Sequence, residues 1–150
     1  MAMRELGARL ALRSRAIETP IAIAIRGELG AGKTTLVGGF LSALGFAGHA
    51  KSPTYTLIEP YELADQLIYH LDLYRLTDPS EVEALGLRDL QRPRSVFLIE
   101  WPERGAGMLP PIDLDIRIRY LSETMREVAL APGSAAGDLL SNGASAVTKP

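Results

Sequence analysis

The spacing of hydrophobic and polar positions changes several times along the chain, and each change predicts a new element. Leu6, Leu10 and Ile17 recur at roughly helical spacing among arginines, which predicts an amphipathic helix that ends before residue 19. Residues 21–25 are all apolar. An apolar run of this kind predicts a strand that is covered on both faces, as in a sheet flanked by helices.

A second amphipathic helix follows a glycine-rich turn. Its apolar positions between residues 33 and 44 fall on one helical face, and Gly45 stands where a C-terminal cap is expected. The order over residues 21–45 is therefore strand, loop and helix.

The middle of the chain predicts a hairpin, a short helix and another buried strand. Residues 52–76 contain two β-rich segments around a polar turn near residues 64–65. Asp78 is a suitable N-cap, and Gly86 a suitable terminator, for a short helix. The apolar segment SVFLIEW at residues 95–101 predicts the next strand.

The last part of the chain predicts a second hairpin followed by a tail. Residues 112–120 alternate apolar and charged side chains, as in a half-exposed strand, and REVALA can pair with them across residues 122–123. Residues 133–150 lack periodicity and are rich in small residues, which predicts a disordered tail. We therefore expect one domain over residues 1–132 and a disordered tail over residues 133–150.

Composition restricts the class of protein. A chain of 150 residues with 47% hydrophobic content is long enough for one packed domain. Its 16 basic and 18 acidic residues give a net charge of -2, so charge alone does not favour nucleic-acid binding. The absence of cysteine excludes disulfides and thiolate chemistry. Without an apolar signal-length or membrane-length run, a soluble cytoplasmic protein with no membrane association is expected.

The segment GELGAGKTT at residues 27–35 carries the first chemical motif. Gly27, Gly32, Lys33 and Thr34 match the P-loop pattern G-x-x-x-x-G-K-[ST], in which backbone N–H groups surround phosphate oxygens. The glycines, with Gly30, let the backbone approach the anion. Lys33 is expected to reach the β- and γ-phosphates, and Thr34 to bind magnesium. A glycine-rich turn with a chance lysine is the alternative, but a strand before it and a helix after it favour nucleotide binding.

Two carboxylates at the ends of apolar strands are candidates for hydrolysis. Glu100 closes the run SVFLIE, and Asp72 lies in IYHLDLYR. The carboxyl ends of parallel strands are where ligands of such folds bind, and carboxylates there can hold magnesium or orient water. Ordinary solvated strand ends are the alternative, and the sequence does not distinguish which carboxylate orients the water.

Four further positions have less specific signals. Thr54 lies in a segment that resembles a nucleotide-sensing switch, although a plain turn is an equal alternative. Trp101 has three alternative roles, which are to cover the nucleotide, to contact a partner protein or to pack against the edge of the sheet. His49 and His70 have no metal-ligand spacing and are assigned no chemistry.

Four motifs together, GELGAGKTT, SPTYT, HLDLYRL and IEWPER, resemble the bacterial TsaE family in their order and spacing. The resemblance covers roughly residues 5–130, and Glu28 stands where aspartate is more usual. It implies an α/β, P-loop NTPase-like three-layer fold in which helices flank a mixed β-sheet. It also implies an ATPase that uses Mg²⁺ and converts ATP to ADP and phosphate slowly, with stimulation by partners.

The resemblance further implies a role beside other proteins. Members of the TsaE family support the TsaB and TsaD proteins in forming threonylcarbamoyladenosine next to the anticodon of tRNA. Contact of this chain with tRNA is therefore expected to be indirect. Alone, the chain is expected to be a monomer or weak oligomer. The implied catalytic residues are Asp72, Glu100 and Lys33, and the implied metal ligands are Thr34 and Glu100. The implied nucleotide-binding residues are Gly27, Glu28, Leu29, Gly30, Ala31, Gly32, Lys33, Thr34, Thr35, Thr54 and Trp101.

Two other P-loop functions stay open, and a third is disfavoured. A small-metabolite kinase needs an acceptor pocket, and a nucleotide-binding adaptor needs no turnover. A switch GTPase needs an N-K-x-D element, but the chain has asparagine only at Asn142.

Overall fold

The computed structural model describes residues 2–53, 56–142 and 146–148, the last three by their backbone only. The α-helices are α1 (Met3–Ser14), α2 (Lys33–Ala43), α3 (Leu87–Leu90) and α4 (Ala135–Ser141). The strands are β1 (Ile21–Arg26), β2 (Ile58–Leu63), β3 (Gln66–Asp72), β4 (Ser95–Glu100), β5 (Leu114–Tyr120), β6 (Arg126–Pro132) and β7 (Ala146–Thr148). Two 3₁₀ helices cover Pro79–Leu85 and Pro102–Gly105.

The strands of the described residues form one mixed sheet of seven strands in the order β2-β3-β4-β1-β5-β6-β7. The central strands β3, β4, β1 and β5 run parallel, and the outer strands pair antiparallel. Parallel strands place their carboxyl ends at one edge. That edge receives the glycine-rich loop after β1 and the last residues of β3 and β4.

Helices cover both faces of the sheet because the central strands are apolar on both sides. Ile21, Ile23 and Ile25 pack on the face that meets α1, α2 and α4. Ala22 and Phe97 lie on the opposite face, which packs against the longer 3₁₀ helix, α3 and the loop around residue 109. The expected α/β fold with a mixed sheet flanked by helices is confirmed.

Helices α1 and α2 approach each other so closely that only glycine fits at two positions. A Cβ on Gly7 would lie 2.0 Å from the carbonyl oxygen of Leu36, and one on Gly39 would lie 2.1 Å from that of Arg4. These distances are far below a van der Waals contact, and the obstructing atoms belong to the backbone. Helix α1 therefore fixes the position of α2, the helix that follows the glycine-rich loop.

The expected hairpin and short helix are present. Ala64 and Asp65 form the turn between β2 and β3 with φ angles of 50° and 63°, the left-handed values that tight hairpin turns require. The helix after residue 78 has the expected N-cap, since the Asp78 carboxylate accepts a hydrogen bond from Ser80 N–H at 2.9 Å. It is a 3₁₀ helix, and Gly86 ends it with a φ of 68°.

The structure differs from the expected disordered tail over residues 134–142. Ser134 caps α4 by accepting a hydrogen bond from Gly137 N–H, and its hydroxyl donates to Asp113 at 2.7 Å. Leu140 is fully buried in the core beneath α1, and the Arg13 guanidinium donates to its carbonyl oxygen at 2.8 Å. A helix of seven residues is too short to show periodicity in sequence, and distant contacts hold it. Residues 143–145 and 149–150 lie outside the described residues.

The described part of the chain contains only short helices. Its longest helix, α1, has 12 residues. No helix there is both long enough and apolar enough to cross a bilayer.

The contact between α1 and α2 can be tested with two neighbouring glycines. We expect Gly39→Ala to lower the free energy of unfolding by about 1–3 kcal/mol, because its Cβ would meet backbone atoms. Gly38→Ala is the control, since its Cβ would meet only side-chain atoms, the nearest being a terminal nitrogen of Arg4. We expect that change to be neutral or to stabilise by up to about 1 kcal/mol through helix propensity. Equal urea midpoints for the two variants would contradict the packing.

The ordered α4 can be tested with two neighbouring leucines. We expect Leu140→Ala to lower the free energy of unfolding by about 2–4 kcal/mol, because it leaves a cavity in the core. Leu139 is 63% exposed, so we expect Leu139→Ala to change stability by less than about 0.5 kcal/mol. Urea denaturation measures both, and two silent variants would show that residues 134–142 do not pack in solution.

Candidate functional site

The loop between β1 and α2 has the backbone form that anion binding requires. Gly30 and Gly32 have φ angles of 76° and 115°, values that side chains strongly disfavour. Gly32 occupies the N-cap of α2, which has no side-chain cap and no acidic residue in its first turn. The first N–H groups of the helix therefore carry a partial positive charge that a phosphate can satisfy.

Strand β5 supports the loop from the side. A Cβ on Gly27 would lie 3.0 Å from the carbonyl oxygen of Ile118, and one on Gly30 would lie 3.0 Å from the Tyr120 hydroxyl. That hydroxyl donates a hydrogen bond to the Leu29 carbonyl at 2.9 Å. Tyr120 thus restrains the loop at its centre, a contribution that the sequence did not indicate.

Lys33 lies at the base of the loop. Its side chain is buried, and Nζ donates hydrogen bonds to the carbonyl oxygens of Gly27 at 2.6 Å and Glu28 at 2.8 Å. Nζ also lies 4.5 Å from the centroid of the Trp101 ring. The ammonium is therefore held in place by the loop that it belongs to.

The charge state of Lys33 depends on two opposing effects. Burial lowers its pKa, while the nearby carboxylates of Glu100, Asp72 and Glu103 raise it. The net direction is downward. An anion bound beside Lys33 would raise the pKa, because a negative charge favours the protonated amine.

The two predicted carboxylates meet at the strand ends. Asp72 and Glu100 are paired residues of the adjacent parallel strands β3 and β4. The Thr34 hydroxyl lies 3.2 Å from each carboxylate oxygen of Glu100 and 2.9 Å from the Ser52 hydroxyl. Asp72 Oδ1 accepts a hydrogen bond from Tyr74 N–H at 3.0 Å. Ser52 was not singled out in the sequence, since nothing local marks it as a neighbour of Thr34.

This donor set fits magnesium in the form in which nucleotides carry it. A threonine hydroxyl and a carboxylate are hard oxygen ligands, and Mg²⁺ with a nucleotide keeps phosphate oxygens and waters as its other ligands. The described residues contain no group of three or more acidic or histidine side chains that could form a complete protein cage. Thr34 and Glu100 therefore suit a metal that arrives with a phosphate.

His70 is another residue of the site that sequence reasoning missed. Its Nε2 lies 2.5 Å from Glu100 Oε2, and both side chains are buried. Metal-ligand spacing was the wrong criterion for this histidine. Its position two residues before Asp72 in the same strand was the available signal, since alternate residues share a face.

Trp101 follows β4 in the left-handed conformation, with φ 57°. Its ring contacts Lys33, and the Tyr74 ring centroid lies 5.1 Å away. Arg104 lies over both aromatic rings. The contact with Lys33 places the Trp101 ring beside the loop, without identifying a ligand.

Two cavities meet at Trp101. One of about 230 Å³ is lined by the second half of the loop, Ser52, Asp72 and Glu100. The other, of about 470 Å³, is lined by Gly27, Glu28 and the end of β5. A larger cavity of about 540 Å³ lies between the 3₁₀ helix and residues 107–111. That cavity contains neither the loop nor the strand-end carboxylates, so it does not define the site.

Most of the predicted site residues are therefore brought together. Those that lie in the loop, in the first turn of α2 or at the strand ends are Gly27, Glu28, Leu29, Gly30, Ala31, Gly32, Lys33, Thr34, Thr35, Asp72, Glu100 and Trp101. Thr54 lies outside the described residues.

Restraint of the loop by Tyr120 can be measured directly. Tyr120→Phe removes the hydrogen bond to Leu29, and a bond of this kind contributes about 1 kcal/mol. We expect amide hydrogen exchange at Ala31 to become up to about fivefold faster, since 1.4 kcal/mol corresponds to a factor of about ten. Exchange at Val37, within α2, is the internal control. Unchanged exchange at Ala31 would show that the tyrosine does not restrain the loop.

Known proteins resemble this chain in sequence and in fold. The family model described as "Threonylcarbamoyl adenosine biosynthesis protein TsaE" matches residues 1–128. The protein of that name from Haemophilus influenzae is 50% identical over 106 residues, which cover 71% of this chain and 67% of that protein. The Bacillus subtilis protein of that name is 38% identical over 106 residues, or 71% of this chain and 66% of that protein.

A solved structure agrees with the fold. The crystal structure of Bacillus subtilis YdiB superposes with a TM-score of 0.71 at 24% identity, covering 95% of this chain and 88% of that chain. The segments matched by sequence span about two thirds of the two relatives above. On the match of the family model and the identity to its members, the chain belongs to the TsaE family.

Proposed function

We propose that this protein binds ATP and ADP with Mg²⁺ and hydrolyses ATP to ADP and phosphate in support of tRNA threonylcarbamoyladenosine biosynthesis. The observation that carries the proposal is the meeting of the loop, Thr34 and two strand-end carboxylates at one cavity. The family and the names of the relatives support the pathway.

Binding of the phosphates is assigned to the loop. The N–H groups at the start of α2 and the ammonium of Lys33 supply positive charge on the side where a triphosphate can enter. Thr34 and Glu100 would hold Mg²⁺, which withdraws charge from phosphate oxygens when bound. The adjoining cavity beside Gly27, Ile118 and Tyr120 is assigned to the base and sugar.

The two carboxylates are assigned different tasks. Both oxygens of Glu100 lie within hydrogen-bonding distance of Thr34, and one of them also faces His70. This arrangement suits a residue that holds a metal. Asp72 lies on the same cavity and is fixed through Oδ1 by Tyr74 N–H. We assign Asp72 to orient the attacking water, as carboxylates do in phosphoryl transfer.

Partners are part of the proposal. We propose that turnover is slow in the isolated protein and is stimulated by TsaB and TsaD proteins, with tRNA contacted through that complex. The net charge of -2 supports action through proteins more than direct RNA binding. The switch-like role of Thr54 and the cytoplasmic location stay predictions from the sequence.

A small-metabolite kinase is the second candidate because a further cavity adjoins Asp72. Its volume is about 440 Å³, and its lining includes Ser52, Asp72, Arg75 and Glu81. A small metabolite bound in this cavity as phosphate acceptor would lie next to Asp72, the carboxylate that we assign to orient the attacking water. The same experiment separates the two functions, since hydrolysis releases phosphate and a kinase transfers it.

The first measurement is ATP hydrolysis by the protein alone and with TsaB and TsaD from the same cell. We expect the partners to accelerate hydrolysis. We expect Lys33→Ala and Glu100→Ala each to reduce the stimulated rate about 100-fold or more, as when a charge-stabilising group is removed. Lys51→Ala is the control for loss of a lysine, because Lys51 is exposed and lies outside the loop.

Two outcomes would overturn the proposal. If the partners neither bind nor stimulate, and a small metabolite accepts the phosphate, the protein is a kinase. If nucleotide binds with Mg²⁺ but the partners bind without any turnover, the protein is an adaptor.

A further inference from the structure

A buried histidine in the middle of β3 faces the strand-end carboxylates. The side chain of His70 is 0% exposed and that of Glu100 is 3% exposed. Ile68, on the same face of the strand, is part of the apolar core beneath the helices. The position is therefore one where an apolar residue would ordinarily pack.

Burying this pair has a cost that packing does not explain. Removing a carboxylate from water is unfavourable unless hydrogen bonds replace the lost solvation, and an apolar residue in place of a buried polar group often stabilises a protein. His70 Nδ1 is also buried and has no hydrogen-bond partner within the described residues. The fold thus leaves one ring nitrogen unsatisfied while it keeps the contact to Glu100.

The contact with Glu100 indicates which ring nitrogen of His70 carries a proton. An imidazole nitrogen donates a hydrogen bond only when it carries a proton. A carboxylate accepts hydrogen bonds, so Nε2 must be the donor at the 2.5 Å contact. Nδ1, the other ring nitrogen, has no hydrogen-bond partner among the described residues. His70 therefore donates from β3 to a carboxylate on β4, which Thr34 also contacts.

We propose that His70 is a positioning residue that holds the Glu100 carboxylate, through its Nε2–H, in the orientation that binds Mg²⁺ together with Thr34. The proposal rests on the proposed function, in which Glu100 is a magnesium ligand. Outer groups that hydrogen-bond to metal-ligating carboxylates commonly change metal affinity about 10- to 100-fold when they are removed. Loss of His70 should therefore weaken the response to magnesium more than it weakens binding of the nucleotide itself.

The test uses two substitutions that differ in one property. His70→Leu removes the donor, while His70→Gln keeps an N–H₂ donor on a side chain of similar reach. The binding of ADP is measured by calorimetry across a series of Mg²⁺ concentrations, and urea unfolding checks that each variant is folded. Glu100→Gln is included as the variant that alters the proposed ligand itself.

The expected result is a split between the variants. His70→Leu should raise the Mg²⁺ concentration for half-maximal enhancement of ADP binding about 10- to 100-fold. His70→Gln should stay within about threefold of the wild type, and ADP binding without Mg²⁺ should change little in either variant. A folded His70→Leu variant that matches the wild type, while Glu100→Gln does not, would overturn the positioning role alone. If the Mg²⁺ dependence of ADP binding in Glu100→Gln also matches that of the wild type, Glu100 is not a magnesium ligand. The proposed function is then wrong on this point, and so is the positioning role of His70.

A second measurement uses NMR spectra of the wild-type protein. The chain has two histidines, so ¹⁵N–¹H correlation spectra of the imidazoles contain two ring systems, and His70→Gln identifies the signals of His70. We expect Nε2 of His70 to carry a proton in the wild-type protein without nucleotide or metal. A ring in which Nε2 is unprotonated would overturn the proposal, because no donor would then face Glu100.

Discussion

Helix α2 is buried along most of its length and packs against α1, and the site depends on this constraint. Leu36, Val37, Phe40 and Leu41 are buried in the core, and α1 lies in backbone contact at Gly39. The end of the helix that faces the loop has no side-chain cap. Burial of one part of the helix thus fixes the direction of its uncapped N–H groups, which are the groups that an anion can satisfy.

The parallel core of the sheet supplies the opposite wall of the site. Because Asp72 and Glu100 are paired residues of β3 and β4, they lie side by side at the edge of the sheet. The helix after β1 places the Thr34 hydroxyl in contact with Glu100. Each polar group comes from a separate element, so no single segment forms the site. Their convergence depends on the sheet, whose apolar strands hold polar side chains at their ends with little freedom to move apart.

The parts that sequence predicted are those encoded locally. The loop from Gly27 to Thr34 follows from glycine geometry and from the helix start, and the strand-end positions of Asp72 and Glu100 follow from the apolar runs before them. Long-range contacts were not predictable in the same way. Leu140 is buried only because β5, β6 and α1 form a surface for α4. His70 interacts with Glu100 across 30 residues of sequence, and its place two residues before Asp72 indicates a shared face of the strand but not this partner.

Lys33 shows how the site combines charge with burial. Its ammonium is held by two loop carbonyls and by the face of Trp101, so its side chain loses little conformational freedom when an anion arrives. Burial lowers the pKa of Lys33, and the carboxylates beside it only partly oppose this effect. Added negative charge would raise the pKa toward the protonated form. A phosphate bound beside Lys33 would therefore offset part of the electrostatic cost of burying its ammonium, while the two loop carbonyls keep the lysine from turning to the carboxylates. Glu100 keeps its contacts with Thr34 and His70, which are two separate reasons for its carboxylate to stay in place.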